Sequence, residues 1–443
     1  MNVAVMKTKA ETGFTEGFER VVDTLPGGPN VAALRREAIG QFAADGLPHR
    51  RVEEWKYTDL RNVMKDALPP AIGDATRITI ADVIVALGPL GRMEVPRVVL
   101  VNGSYRKELS NTEAAAGVSV VALSTLLAGG ADAKVFGVEA ECARQSVVAL
   151  NTAYATDGVV VDVPDGVTLE APVFIVHVRA GGVAQFAASR NRVRVGKGAR
   201  ATIVEVFAHV PGATPDGQQS AVTAVDLDEG GQLAHIKIVN DAGRITHLSN
   251  WDVTLAKSAD YRAFHYTAGA GLARNQMRVV YAGANAKADI SGAFLARVGE
   301  HVDTTLLVDH ALPGGVSREL FKGVLQDHAR GVFQGKVIVR PDAQKTDGKQ
   351  MAQALMLSED AEFDSKPELE IYADDVVCGH GSTSAALDTD LLFYLRARGI
   401  PLEAARALLI QSFVGEAIDK VENPSLRDAL MEQAQIWLLG HEA

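Results

Sequence analysis

The stretches 191–203 (NRVRVGKGARATI), 223–236 (TAVDLDEGGQLAHI) and 251–264 (WDVTLAKSADYRAF) share one pattern: an alternating apolar run, a tight corner of small or polar residues, and a second alternating run. It continues through 277–290 (MRVVYAGANAKADI), 306–320 (LLVDHALPGGVSREL), 337–351 (VIVRPDAQKTDGKQM) and 369–383 (LEIYADDVVCGHGST). Alternation with a period of two puts every second side chain on one face of a strand. Anchored on Val193, Val225, Val253, Val280, Val308, Val339 and Ile371, the units recur about every 27 to 32 residues. One such unit cannot bury its own apolar face and must stack on its neighbours. Helical repeats would place apolar residues at i, i+3 and i+4, and an ordinary β-sandwich would need closely spaced Asn-Gly or Asp-Gly turns, which are sparse here. The expected fold is mainly β, a parallel β-helix or related β-solenoid over residues 158–387.

On either side of this core the pattern is different. Residues 1–157 read as a mainly helical, mixed α/β region. In NVAALRREAIGQFAADGLP, Val31, Leu34, Ile39 and Phe42 fall near one helix face, closed by Gly46 and Pro48. RVVLVNG and VSVVAL read as strands, and CARQSVVALNTAYA as a helix with Cys142 packed at its start. Residues 388–443 read as three helices, with Gly399 as a stop and Pro401 and Asn423-Pro424 at new starts. Leu408, Phe413 and Ile418, with Leu391, Phe393 and Tyr394, exceed what a small helical hairpin buries. Part of this surface is expected to cover the end of the solenoid and part to take a partner.

Composition removes several function classes. A formal net charge of -11 argues against a broad nucleic-acid footprint. The uncharged run between Glu113 and Asp132 is interrupted by glycines, and its apolar part, Val118 to Leu127, is too short to span a membrane. It reads as a buried strand leading into a helix. No apolar core of leader length occurs in MNVAVMKTKAETGFTEGFER, and with only two cysteines a reducing cytoplasm is the expected setting. The Gly-Lys pairs at Gly196, Gly335 and Gly348 lack the spacing and the Ser/Thr of a phosphate loop, so ATP, if used, comes with another chain. A glycan-active β-helix would need a carboxylate groove. The pairs Asp374-Asp375 and Glu359-Asp360 read more simply as solvated corners.

What remains is Cys378 and His380. Two residues apart on a strand, they face the same side, with Gly379 and Gly381 allowing close approach of another surface. His177, His235 and His265 lie inside strand-like runs and read as hydrogen-bonded structural histidines. Iron–sulfur clusters and soft metals take about four ligands, so any cluster at Cys378 and His380 must be shared with a second protein.

The segment SKPELEIYADDVVCGHGSTSAALDTDLLFYLRARGI (residues 365–400), with RRVEEWKYTDL (50–60), resembles the SufB/SufD family of iron–sulfur cluster assembly proteins, and EEWKYTDL is similar to its SufD branch. The resemblance implies a right-handed parallel β-helix between helical regions. It implies a non-catalytic scaffold subunit of the SUF complex, partnering SufB and the ATPase SufC and supporting iron entry and nascent cluster formation at the SufB–SufD interface. Carried onto this sequence, His380 is the implied iron or cluster ligand, with Cys378 beside it, on a transient cluster shared with SufB. The helices from Asp390 to Val421, with Leu391, Phe393, Tyr394, Arg396, Leu409 and Phe413, correspond to the SufC-docking region. The chain itself would bind no nucleotide, and when isolated it could pair with its own copy. The family often has Ser and Ala around this histidine where the chain has CGHGST, and a more Asn-rich stretch in place of KQMAQALMLS. Two other readings stay open: a purely architectural solenoid that holds partners together, and a carbohydrate-active β-helix.

Overall fold

The computed structural model describes residues 6–73, 76–112, 115 and 117–440. The leader-peptide reading of residues 1–20 therefore falls in part, at 1–5, outside the described residues, as does Glu113 at the head of the uncharged run. Two sheets, parallel except for one antiparallel pair at the N-terminal edge of each, face each other across a filled interior. One has ten strands and ends at Val377–Ala385, and the other has nine and ends at Glu362–Ile371. Consecutive strands alternate between the sheets, so each repeat contributes one strand to each, joined by a tight corner. This is a β-solenoid, with helices towards both chain ends.

The register corrects the repeat alignment. Val193, Val225, Val253, Val279, Val308, Val337 and Leu369 stand side by side on successive strands of the nine-stranded sheet. Val280 is therefore one residue out and half-exposed, whereas Val279 is buried, because a slip of one moves a side chain to the other face. Val339 and Ile371 are two residues out, on the correct face but one step along. Inward residues such as Val193, Ile203, Trp251, Tyr261, Ile290 and Phe333 fill the lumen.

Each outer face has its own helical cover. Phe14 and Phe18 of the helix Lys9–Val21, and Ile39 and Phe42 of Pro29–Asp45, pack with Phe186, Val222, Leu248 and Leu272 on the nine-stranded sheet. Gly46, at φ +72, closes the second helix. The run CARQSVVALNTAYA forms two helices, Ala140–Ala143 and Ser146–Tyr154, and Cys142 is buried as expected. The strand Arg97–Val101 joins the ten-stranded sheet parallel to Val173–Arg179, and Ser119–Ala122 joins the other antiparallel to Val159–Val163. Ser119–Ala122 leads directly into the helix Leu123–Ala128.

The C-terminal helices are Thr389–Arg396, Leu402–Ile418 and Pro424–Leu439. The expectation that they cover the end of the solenoid is corrected. Val414, Ala417 and Ile418 pack instead on the outer face of the ten-stranded sheet, with Ala293, Leu295 and Val324. That sheet face is apolar and would otherwise be wet, so the helices are drawn there and the end stays open. No helix among the described residues is long and apolar enough to cross a membrane.

Candidate functional site at the open end of the solenoid

The strands Glu362–Ile371 and Val377–Ala385 are the last of their sheets, and each offers an unpaired edge. Pro367 fits this place, since it has no N–H to give and belongs on an edge strand. Among charged and hydroxyl side chains, several apolar ones are accessible here: Tyr372 is 60% and Val377 62% exposed, with Ile371 and Met351 also accessible.

Cys378 and His380 sit on the edge strand in register with Gly348 and Gln350 of the strand beneath, so both point to the lumen side. Cys378 is half-buried against the core, and His380 is exposed. Burial pushes the Cys378 thiol above its usual pKa, helped by the Asp347 and Glu319 carboxylates and opposed by a hydrogen bond from the Gly348 backbone. A protonated thiol is a poor ligand, which leaves the accessible imidazole as the better donor. A Cβ on Gly379 would meet no atom within 4 Å, so bare backbone faces outward there, while Gly381 makes room for Met351. Among the described residues no group of three His, Cys, Asp or Glu side chains is arranged to hold a metal ion.

Beneath His380 the lumen column continues through Gln350 to Glu319. Burial raises the Glu319 carboxyl to about 8, although the Ser317 hydroxyl and Arg318 oppose the shift. Sequence reasoning missed both residues, because only the exact register shows that the Glu of VSREL turns inward.

Deeper in the lumen lies a separate polar cluster. Glu205 accepts hydrogen bonds from Thr223 (3.0 Å) and Asn191 (3.2 Å) and lies 2.8 Å from His235 Nε2. Burial alone would raise its pKa, but His235, His177 and Thr223 outweigh it and hold the carboxylate low. His235 also meets the Tyr261 hydroxyl and stacks on Trp251, as a structural histidine should. His177 lies 3.5 Å from the Asn191 amide and stacks on Phe207. His265 departs from the expectation. It is buried with no hydrogen-bond partner on either ring nitrogen, and burial keeps it neutral.

The docking residues divide. Leu391, Phe393, Tyr394 and Arg396 are exposed, Phe393 at 73%, whereas Leu409 is half-buried and Phe413 packs into the outer core beneath the Lys322 ammonium (4.4 Å to the ring centroid).

The residues thus build a helix-sheathed β-solenoid whose last turn stays open and carries an imidazole and a thiol. Residues 177–413 match the SufBD core domain of the SUF system for FeS cluster assembly, and residues 19–175 match the SufBD protein N-terminal region. The chain belongs to the SufBD family of iron–sulfur cluster assembly proteins. It is 30% identical over 410 residues to a SufBD family protein of Synechocystis sp., covering 90% of this chain and 89% of that one. It is 28% identical over 408 residues to the iron–sulfur cluster assembly protein SufD of Escherichia coli, covering 89% and 90%. A SufBD family protein of Mycobacterium tuberculosis is 29% identical over 412 residues, covering 90% and 92%.

Proposed function

We propose that this chain is a SufD-type, non-catalytic scaffold subunit of the SUF complex, working in the cytoplasm. Its open end pairs with SufB and supports iron entry and nascent cluster formation there. The observation that carries this reading is the placement of His380, with Cys378 beside it, on an unpaired edge strand surrounded by exposed apolar side chains. An accessible imidazole can ligate iron while a partner supplies thiolates, and an unpaired edge is a template for a partner's strand. In isolation the same edge can accept a second copy. The exposed side chains of Leu391, Phe393, Tyr394 and Arg396 support a docking surface for the SufC ATPase, to which Leu409 and Phe413 contribute from beneath.

The test is anaerobic cluster reconstitution on the complex co-expressed with its SufB and SufC partners, wild type against His380→Ala, with assembly checked by size exclusion. The expected result is an intact complex that has lost the visible absorbance of the cluster. An intact complex that forms the cluster equally well makes the chain a purely architectural partner.

A further inference from the structure

The column under His380 carries more than a scaffold needs. Glu319 and Gln350 are each 3% exposed, yet both amide atoms of Gln350 lack a hydrogen-bond partner, and no donor but the Ser317 hydroxyl stands beside the Glu319 carboxyl. Groups of this kind are rare in folded proteins, and they collect where an ion or water belongs. Here such under-satisfied atoms occupy two side chains on adjacent strands, in direct register. Across the lumen Gly335 makes room for Gln350: a Cβ there would fall 2.1 Å from its Nε2. The Ser317 hydroxyl, on the same strand and face as Glu319, is held by His310 Nε2 at 3.1 Å.

We propose that the lumen of the last turns is a binding site for a divalent cation, held by the Gln350 amide oxygen and the Glu319 carboxyl, one and two strands inside His380, the carboxyl giving up its proton to water as the ion binds. Carboxylate and amide oxygens suit hard to borderline divalent ions, with water completing the coordination shell. Adjacent strands lie about 4.8 Å apart, so the ion sits roughly 5–10 Å inward of the imidazole. An ion captured by the exposed His380 passes along the column and is held away from solvent until the cluster is built. That the physiological ion is ferrous iron rests on the proposed function; the site itself does not.

The experiment is anaerobic calorimetric titration of the purified full-length chain with Mn²⁺, a redox-stable probe, repeated with Fe²⁺. Wild type should bind one inner ion, and Glu319→Gln, which preserves the shape of the side chain, should weaken it at least tenfold. Gln350→Met should weaken it severalfold, which keeps the test decisive if the Glu319 variant fails to fold. Unchanged Mn²⁺ affinity in either folded variant overturns the proposal. His380→Ala separates the two ideas: with Mn²⁺ binding retained and cluster formation lost in the complex, both stand. With Mn²⁺ binding retained and cluster formation intact, the inner site stands and the role of His380 falls.

Discussion

Two ionisable side chains buried in the lumen tie stability to pH in opposite directions. Glu319 has an ordinary pKa of 4.5 and is raised to about 8, so between these values the folded state keeps a proton that the unfolded chain has lost. Its contribution therefore falls as pH rises from about 4.5 to about 8. Lys237 runs the other way. Burial lowers it from 10.5 to about 7, so above pH 7 the unfolded chain holds the extra proton and this contribution rises with pH. Denaturant unfolding of wild type and Glu319→Gln at pH 5 and pH 8 should show the variant gaining up to about 4 kcal/mol relative to wild type at the higher pH. Parallel curves would mean that Glu319 is ionised in the fold. At this scale Cys378 and His380 were legible, because a spacing of two on a strand fixes a shared face whatever the register. Glu319, Gln350 and the unpartnered His265 were not, since their isolation depends on what stands one strand away.

The repeat is held at its corners as much as by its strands. Gly166, Gly198, Gly230, Ser258, Asn285, Gly314 and Lys345 all adopt positive φ, from 58° upward. Each donates its backbone N–H to the corner of the next turn, as in Gly198 to Glu229 (3.0 Å), Gly230 to Lys257 (2.9 Å) and Lys345 to Asp375 (2.7 Å). This ladder is the true invariant of the repeat. Strand valines were a weaker anchor because Val279 and Val280, or Val337 and Val339, compete for one register position. The corner position is filled variously by Gly, Ser, Asn and Lys, so its equivalence shows only in the dihedral angles. At Gly230 a Cβ would meet nothing closer than 3.9 Å, so Gly230→Ala tests the backbone alone. It should cost about 1–2 kcal/mol in denaturant unfolding, the penalty for a left-handed non-glycine residue. A variant as stable as the parent would mean that the corner relaxes freely. The C-terminal helices show the other limit of the sequence. Their surplus apolar surface was legible, but its destination depended on which sheet face lay bare.

At the scale of the molecule, helices cover both outer faces and the final turn stays open. The segment EEWKYTDL ties the N-terminal region across the nine-stranded sheet towards that end. Arg274 stacks on Trp55 (4.0 Å to the ring centroid), donates to the Glu54 carbonyl and pairs with buried Asp303, which also takes the Thr58 hydroxyl. Gln334 reaches the same Glu54 carbonyl, and Lys366, on the edge strand itself, pairs with Glu53 at 2.9 Å. The resemblance carried by this motif thus has a physical basis: it is a latch from the N-terminal region to the end that carries His380. Arg274→Met should destabilise the fold by about 3–5 kcal/mol, because it strands the Asp303 carboxylate in the interior. A loss under 1 kcal/mol would show that the latch is dispensable.

The open end itself gives the last prediction. A long, flat, unpaired edge with exposed apolar neighbours recruits another strand unless a charge blocks it, and lysine is a natural blocker. Val377 is well exposed at the start of the edge strand and opposes Asp347 on the strand beneath, so a lysine there needs no rearrangement of the fold. Val377→Lys should leave thermal unfolding within about 0.5 kcal/mol of wild type, as for other surface substitutions. It should also abolish association through this end, seen by size exclusion with light scattering on the isolated chain and on its mixture with the proposed partner, SufB. His380→Ala removes the proposed ligand without charging the edge, so it should leave association intact. The two variants therefore separate the edge as an interface from the edge as a metal site. If Val377→Lys elutes with the same mass as wild type in both settings, the partner seats elsewhere, and the apolar rim around Tyr372 and Val377 has no part in holding it.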